Sequence, residues 1–438
     1  MKQPRVHAGF TRRGVVFLVA SISSSLAAYA TGLRELLYIA ILLAVLPIGA
    51  ILFVWVARPR LAVTRTFAPH IIEAGSSATA FLHVGNRDLR RSIQSRWRDT
   101  LPWYPGQTPS ADLPALKPRG IRFDGRGNGV DVEYELSPPR RGVFPVGPLV
   151  VDVVDAFGLA SSALSVGEAQ PVVVTPEVFG LPATGLATST GDGEARLVQR
   201  RAVGDDDDTI TREYRAGDAM RRVHWRATAR HGELMVRQEE QRNRPEARVI
   251  VDTRRAGYRD GWDDGTHDGP ESESFEWVVR MLASVTTHLR REGFAVSIVE
   301  TGSSQLAALD RNRQRAWGDE EFLVSLASFG LVDEPLHSSR RPRTSGLTVA
   351  LLGSPDPATL DWLAGQARVG ELAIAFMVQD VSSVDQLNRS LGVYRAPTNR
   401  GEPLSEAGWL VVPVRADDDH ASAWEAVVFE TGRSRAGA

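Results

Sequence analysis

Two long apolar runs open the chain, and the hydrophobic pattern then changes character twice. Positions 14–31 hold 18 residues without a charge, diluted by Ser21, Ser23, Ser24 and Ser25. Positions 36–57 hold 22 residues without a charge and are more apolar. A helix rises about 1.5 Å per residue and needs roughly 20 residues to cross the hydrocarbon core. The second run meets that length and the first approaches it. Only Gly32-Leu33-Arg34-Glu35 separates them, so the pattern predicts a transmembrane helical hairpin over 14–57. Pro47 falls inside the second span, where membrane helices tolerate a kink.

From 61 to 178 the period shortens to two. Alternation is clearest at 61–67, 78–84, 130–136 and 149–154. Gly85-Asn86, the glycines at 125, 127 and 129, and Pro138-Pro139 interrupt it as turn signals. About seven short antiparallel strands in such a length argue for a β-sandwich of immunoglobulin-like type. The three glycines do not form a phosphate loop, because a strand pattern follows them and no Lys-Ser/Thr does.

Beyond 245 short apolar strands alternate with helical stretches. Strands are expected at 247–252, 294–299, 347–352, 372–378 and 409–414. Helices are expected around Phe275 to Leu289, over 357–367 and over 420–429. This alternation predicts an α/β domain at 246–438 with a mainly parallel sheet covered on both faces. The segments between are a Gly/Ala/Ser/Thr-rich linker at 179–208, ending in the acidic run 205–208, and an arginine-rich block at 209–245. A segment of 1–13 precedes the hairpin.

Composition narrows the function classes. The 438 residues are 43% hydrophobic and 24% charged, with a formal net charge of −2, so a dedicated nucleic-acid binder is not expected. No cysteine is present, which excludes disulfides, thiolate metal sites and thiol nucleophiles. No His-Glu-x-x-His pair, Gly-x-Ser-x-Gly elbow or Walker loop occurs, and no catalytic residue is assigned. Lys2, Arg5, Arg12 and Arg13 precede the first span, and Arg58, Arg60 and Arg65 follow the second. The turn between the spans has Arg34 alone. The positive-inside rule then places both ends and the soluble bulk in the cytoplasm of a multi-pass cell-membrane protein.

The arginine-rich block is the densest chemical signal. Between Arg212 and Arg237 it holds seven arginines against three acids, with Tyr214 and Trp225 among them and a turn at Gly217-Asp218. Three uses are open to it: a junction knit by ion pairs and packed aromatics, a docking face for an acidic partner, or a surface for anionic headgroups. The adjacent run of four aspartates argues against nucleic acid.

The order Arg212-Glu-Tyr214-Arg-Ala-Gly217-Asp218, then Arg221-Arg222-Val-His224-Trp225 and Arg230, resembles the signature of the domain-of-unknown-function 58 family. Arg141-Gly142 with the strand after it, and Asp155-Ala-Phe157-Gly158-Leu159, resemble further motifs of that family, with Ala156 where a proline is usual. The resemblance implies a membrane-anchored protein with a β domain and a von Willebrand factor A-like domain. It also implies association with MoxR-type AAA+ ATPases and other membrane proteins, and a non-enzymatic adaptor role in a chaperone-like or envelope-related assembly. It makes Arg212, Tyr214, Gly217, Asp218, Arg221, Arg222, His224, Trp225 and Arg230 the candidate partner-binding set. Asp252 stands where von Willebrand A-type domains begin an Asp-x-Ser-x-Ser metal loop, but Arg254 and Ala256 replace the serines. No cofactor is expected. The alternative is a divalent-cation-dependent ligand binder that holds Mg²⁺ at Asp252.

Overall fold

The computed structural model describes residues 7–103, 105–119, 129–183, 211–213, 225–237, 245–258, 260, 272–306, 318–336, 346–367, 371–379 and 401–427. Two compact units emerge, one built on Met1–Glu177 with Glu320–Phe329, the other on the remaining C-terminal segments.

The first unit begins with a short strand, β1 (His7–Phe10), that the apolar pattern did not announce. Two helices follow, α1 (Arg12–Thr31) and α2 (Arg34–Val56). Thr11 caps α1 by accepting from Gly14 N at 3.2 Å. Its own N–H and hydroxyl donate to the carbonyls of Leu159 (2.9 Å) and Gly158 (2.5 Å). Gly14 is required at this seam, because a Cβ there would lie 2.1 Å from the Leu159 carbonyl oxygen.

One of the serines that dilute the first run has a local use. Ser21 is buried and donates to the Ala40 carbonyl of α2 at 2.7 Å, a polar pin across the hairpin. Both helices are long and apolar enough to cross a membrane, and only 11% and 22% of their most apolar windows are buried. The core helix of a soluble domain would be mostly buried. Here Ile22, Leu26, Leu42 and Leu52 stand exposed, a surface suited to lipid.

The β-rich part carries β2 (Leu61–Ala68), β3 (Ile71–Glu73), β4 (Ala78–Asn86), β5 (Ser95–Asp99), β6 (Ala111–Leu113), β7 (Gly129–Leu136), β8 (Gly142–Val146), β9 (Leu149–Val154), β10 (Ala160–Val166) and β11 (Gln170–Thr175). They form sheets ordered β1-β10-β9-β5-β6, β2-β4-β7 and β3-β11-β8. Among the described strands of this unit only the β3–β11 pair is parallel. Inward residues alternate along β4, and Leu82, Trp97, Leu149, Val151 and Val174 share one apolar core. Arg65, counted in the sequence among the cations flanking the second span, lies inside this core instead. Its guanidinium donates to both oxygens of Asp99, at 3.0 and 2.8 Å, and Tyr134 donates to the same carboxylate at 2.6 Å. Arg58 and Arg60 are left as the cations that immediately follow α2.

The second unit holds a two-stranded ladder, β12 (Thr211–Glu213) with β13 (Met235–Arg237), and helix α3 (Trp225–His231). Its main sheet is wholly parallel: β14 (Glu246–Val251), β15 (Ala295–Glu300), β16 (Leu347–Leu352), β17 (Ala373–Val378) and β18 (Leu410–Val414), in the order β15-β14-β16-β17-β18. β16 and β17 are buried at every position, as strands covered on both faces must be.

Helix α4 (Glu273–Arg291) starts at Ser272, whose hydroxyl accepts from Phe275 N at 3.0 Å, and buries Phe275, Trp277, Val278, Leu282 and Val285. Helix α5 (Asp319–Ala327) belongs from Glu320 onward to the first unit, while α6 (Pro357–Ala364), α7 (Glu402–Glu406) and the helical stretch 420–427 belong to the second. The 179–208 segment is described only to residue 183. There Phe179 stacks on His420 at 4.4 Å and donates its N–H to Ser284 at 2.9 Å.

Candidate functional site

In an open parallel sheet, ligands gather outside the carboxyl ends of the strands where the strand order reverses. Here the chain runs from β14 outward to β15, then back across to β16, so the reversal lies between β14 and β16. Asp252 follows β14, Thr301 follows β15, and Ser354 and Asp356 follow β16. All three strand ends meet at Asp252, which is fully buried.

Arg254 organises the cluster. Its guanidinium reaches Asp252 Oδ1 at 3.4 Å and both oxygens of Asp356, at 3.3 and 3.2 Å. It also donates to Thr359 Oγ1, which in turn donates to Asp356. Thr301 donates to the same Asp252 oxygen, and its hydroxyl accepts from Thr253 N at 3.2 Å. Tyr258 donates to the Asp252 carbonyl at 2.6 Å, and Ser354 N to the Gly257 carbonyl at 2.6 Å. Gly257 lets the turn close: a Cβ there would lie 2.4 Å from Asp252 Oδ2. Asp356 has a second role as N-cap of α6, accepting from Thr359 N at 2.9 Å.

The electrostatics follow from burial and this cation. Burial pushes the Asp252 carboxyl above its ordinary range, opposed by the bonds from Thr301 and Arg254. Burial also raises Asp356, but the bonds from Arg254 and Thr359 outweigh it and hold that carboxyl down at about 2. Burial works against the charge on Arg254, and its bonds to Asp356 and the two facing carboxylates reverse that, so it stays a cation. Glu300, at the end of β15, is raised by burial although the N–H groups of Gln305 and Leu306 bond it.

A divalent cation of the hard type wants six or more oxygen ligands with no competing charge. The two carboxylates and Thr359 are already engaged with a guanidinium, which repels such an ion, and Thr301 is spent on Asp252 and Thr253 N. The residues fit an internal arginine rather than Mg²⁺. One atom stays unmatched: Asp252 Oδ2 is buried without a hydrogen-bond partner. Among the described residues no group of three or more His, Asp or Glu is placed to hold a metal.

The partner-binding set falls mostly elsewhere. Tyr214, Gly217, Asp218, Arg221, Arg222 and His224 lie outside the described residues, and Arg212 is described only as backbone in β12. Trp225 opens α3 and is 66% exposed. Arg230 on the same helix is exposed. Thr228 accepts from Met235 N at 3.0 Å and ties α3 to β13.

Asp356, Thr301 and Thr359 are site residues that the sequence reading missed. They come from strand ends 49 to 105 positions away from Asp252 and Arg254, and nothing local marks them as neighbours.

Residues 210–261 match the family described as protein of unknown function DUF58. The match runs from the ladder containing α3 through β14 to the turn beyond Arg254, so it takes in both Trp225 and the Asp252 cluster. No curated protein matches the chain. Among solved structures the chain is similar to the CARDB domain of a Pyrococcus furiosus protein. The crystal structure of that domain, in complex with di-metal ions, gives 16% identity over 25% of this chain and 89% of that one, TM-score 0.17. Its solution NMR structure gives 15% identity over 25% and 94%, TM-score 0.18. The chain is also similar to the Pseudomonas fluorescens alkylpurine DNA glycosylase AlkC bound to DNA containing an abasic site analog, at 10% identity over 32% and 38%, TM-score 0.17. Likenesses this weak carry nothing about metal or DNA over to this chain.

Proposed function

We propose that the chain is a multi-pass cell-membrane interaction protein with its soluble bulk in the cytoplasm. It has no enzymatic activity and serves as an adaptor for a MoxR-type AAA+ ATPase and other membrane proteins. Its C-terminal α/β domain is a von Willebrand A-type domain in which Arg254 has taken the position of the metal. The exposure of Trp225 carries the partner assignment: a tryptophan left in solvent, on a helix that also carries an exposed arginine, has the composition of an interface hot spot. Arg221 and Arg222, in the same arginine-rich block, add the charge that an acidic ATPase surface would meet.

The test is capture of the ATPase from native membranes by the full chain. Trp225→Ala, and separately Arg221→Glu with Arg222→Glu, should each lower capture by at least about thirtyfold, the size of a hot-spot loss. Capture unchanged in variants with a native melting profile would refute the assignment.

A divalent-cation-dependent binder remains the second reading, favoured by the unmatched Asp252 Oδ2. Calorimetry of the full chain with Mg²⁺ separates the two. Micromolar binding that is lost in Asp252→Ala would favour the cation.

A further inference from the structure

The end of α2 opens into a cavity of about 500 Å³ within the first unit, lined by Trp55, Arg58, Arg60, Asp88, Arg90 and Leu164 among others. Three guanidiniums and one carboxylate give it a net charge of +2. Among the described residues none of the three arginines has an ion pair, so the charge is not neutralised internally. Asp88 is engaged with its own loop, where its carboxylate accepts from Leu89 N at 2.7 Å.

An arginine just past a helix end is commonly a cap for the last carbonyls. Arg58 is not wholly used that way, because its Nε is buried without a hydrogen-bond partner. The Arg90 end of the cavity is held in place by the backbone: Asn86 donates to the Arg90 carbonyl at 2.8 Å, and Arg87 N donates to the Arg60 carbonyl at 2.7 Å.

Two apolar side chains flank these cations and are left in solvent. Trp55, in the last turn of α2, is 60% exposed, and Leu89, between Asp88 and Arg90, is 81% exposed. Tryptophan at the end of a span sits at headgroup level in a bilayer. A lone leucine next to arginines matches an interfacial loop whose apolar tip enters the acyl boundary while the cations stay at the phosphates. A cationic cavity at the cytoplasmic end of a span is a place where anionic headgroups bind.

We infer that this cavity is a binding site for the phosphodiester headgroup of an anionic phospholipid in the leaflet that α2 leaves, with Arg58, Arg60 and Arg90 as its ligands. The site rests on the membrane placement proposed above. It gives the β-rich unit a second hold on the membrane besides the hairpin, and makes that hold sensitive to lipid charge.

The test uses the full chain, purified in detergent, and native mass spectrometry with phosphatidylglycerol or phosphatidylcholine. One phosphatidylglycerol should be retained in preference to phosphatidylcholine by about thirtyfold, as expected for two uncompensated interfacial charges. Arg58→Ala with Arg60→Ala and Arg90→Ala should abolish that preference. Arg90→Ala alone, on an exposed residue whose side chain makes no hydrogen bond or ion pair among the described residues, should reduce it, whereas Arg96→Ala on the β5 surface should leave it intact. A chain without the preference, or a triple variant that keeps it, overturns the site. Equal displacement by glycerol phosphate at lipid concentration also overturns it, since the ligand would then be a free anion. Flotation with liposomes reads the membrane placement independently: a chain that floats but shows no headgroup preference loses only this site, and a chain that does not float loses both.

Discussion

Replacing Arg254 by serine tests the internal-cation arrangement directly. The substitution restores the first serine of an Asp-x-Ser-x-Ser loop and removes the charge between two carboxylates. Arg254 is 4% exposed and Asp252 fully buried, so Asp252 loses its only charged partner among the described residues, in a desolvated place. Breaking a buried pair in this way costs about 3–5 kcal/mol. The Asp356 half is 41% exposed and solvent-screened, so the lower end applies, about 3 kcal/mol. For a domain of this size that is a fall in Tm of roughly 6–12 °C.

The assay is thermal unfolding of the full chain in detergent, followed by tryptophan fluorescence, with and without millimolar Mg²⁺ or Mn²⁺. Wild type should melt at the same temperature in both conditions. Arg254→Ser should melt lower and recover part of the loss with the metal, because two carboxylates and several hydroxyls are then free for it. A wild-type Tm that rises with Mg²⁺ and stops doing so in Asp252→Ala would refute the argument. So would an Arg254→Ser variant that melts like wild type.

Two further outcomes follow from buried charge. His420 is 3% exposed, stacked between Phe179 and Trp277, and burial with the nearby Arg280 charge lowers its pKa from 6.5 to about 4. The folded state therefore keeps the ring neutral while the unfolded chain takes up a proton. Stability is fully present above pH 6.5 and falls as pH drops from 6.5 toward 4, by about 3 kcal/mol at 1.36 kcal/mol per unit. His420→Phe should remove that slope from denaturant titrations, measured as the difference from wild type because the raised Asp252 and Glu300 carboxyls act in the opposite direction; an unchanged slope would put the titration elsewhere. In the β-rich unit, Arg65→Met leaves Asp99 buried and charged beside Tyr134 and should cost about 3–5 kcal/mol, with part recovered in the double variant with Asp99→Asn. Additive losses in that cycle would show that the pair is not coupled.

What the sequence disclosed depended on whether the signal was periodic. The hairpin, the alternating strands β2, β4, β7 and β9, and all five strands of the parallel sheet stand where period and run length put them. β1 escaped because four residues before a long apolar helix carry no period of their own; what fixes them is pairing with β10, 150 to 156 positions away. Arg65 was misjudged for a related reason. An arginine near a span end is a flanking charge by position, and only the fold brings Asp99 to it across 34 residues. The Asp252 position was legible from its place after an apolar strand. Arg254 was legible as an obstacle to metal, but its bond to Asp356 was not, since that needs the strand order β15-β14-β16.

The strand order also bears on what the C-terminal domain can do. A metal held at the sheet's reversal point leaves and returns, and it can lend its open coordination positions to a ligand. A guanidinium joined covalently to the chain does neither: its bonds to Asp252 and Asp356 tie the end of β14 to the N-terminus of α6 in every copy, whatever the supply of cations. On the proposal made here, recognition has then moved off the sheet edge. The family match covers Arg254 and, on the segment that feeds β14, the exposed Trp225. A fixed strand end and an adhesive surface just upstream of it in the chain suit a partner that grips a rigid domain. If so, Arg254→Ser should weaken ATPase capture only as far as it loosens the fold, and Mg²⁺ should restore both together. Capture that falls while the melting temperature is fully restored by Mg²⁺ would mean that Arg254 itself touches the partner, and the division between scaffold and docking face would have to be redrawn.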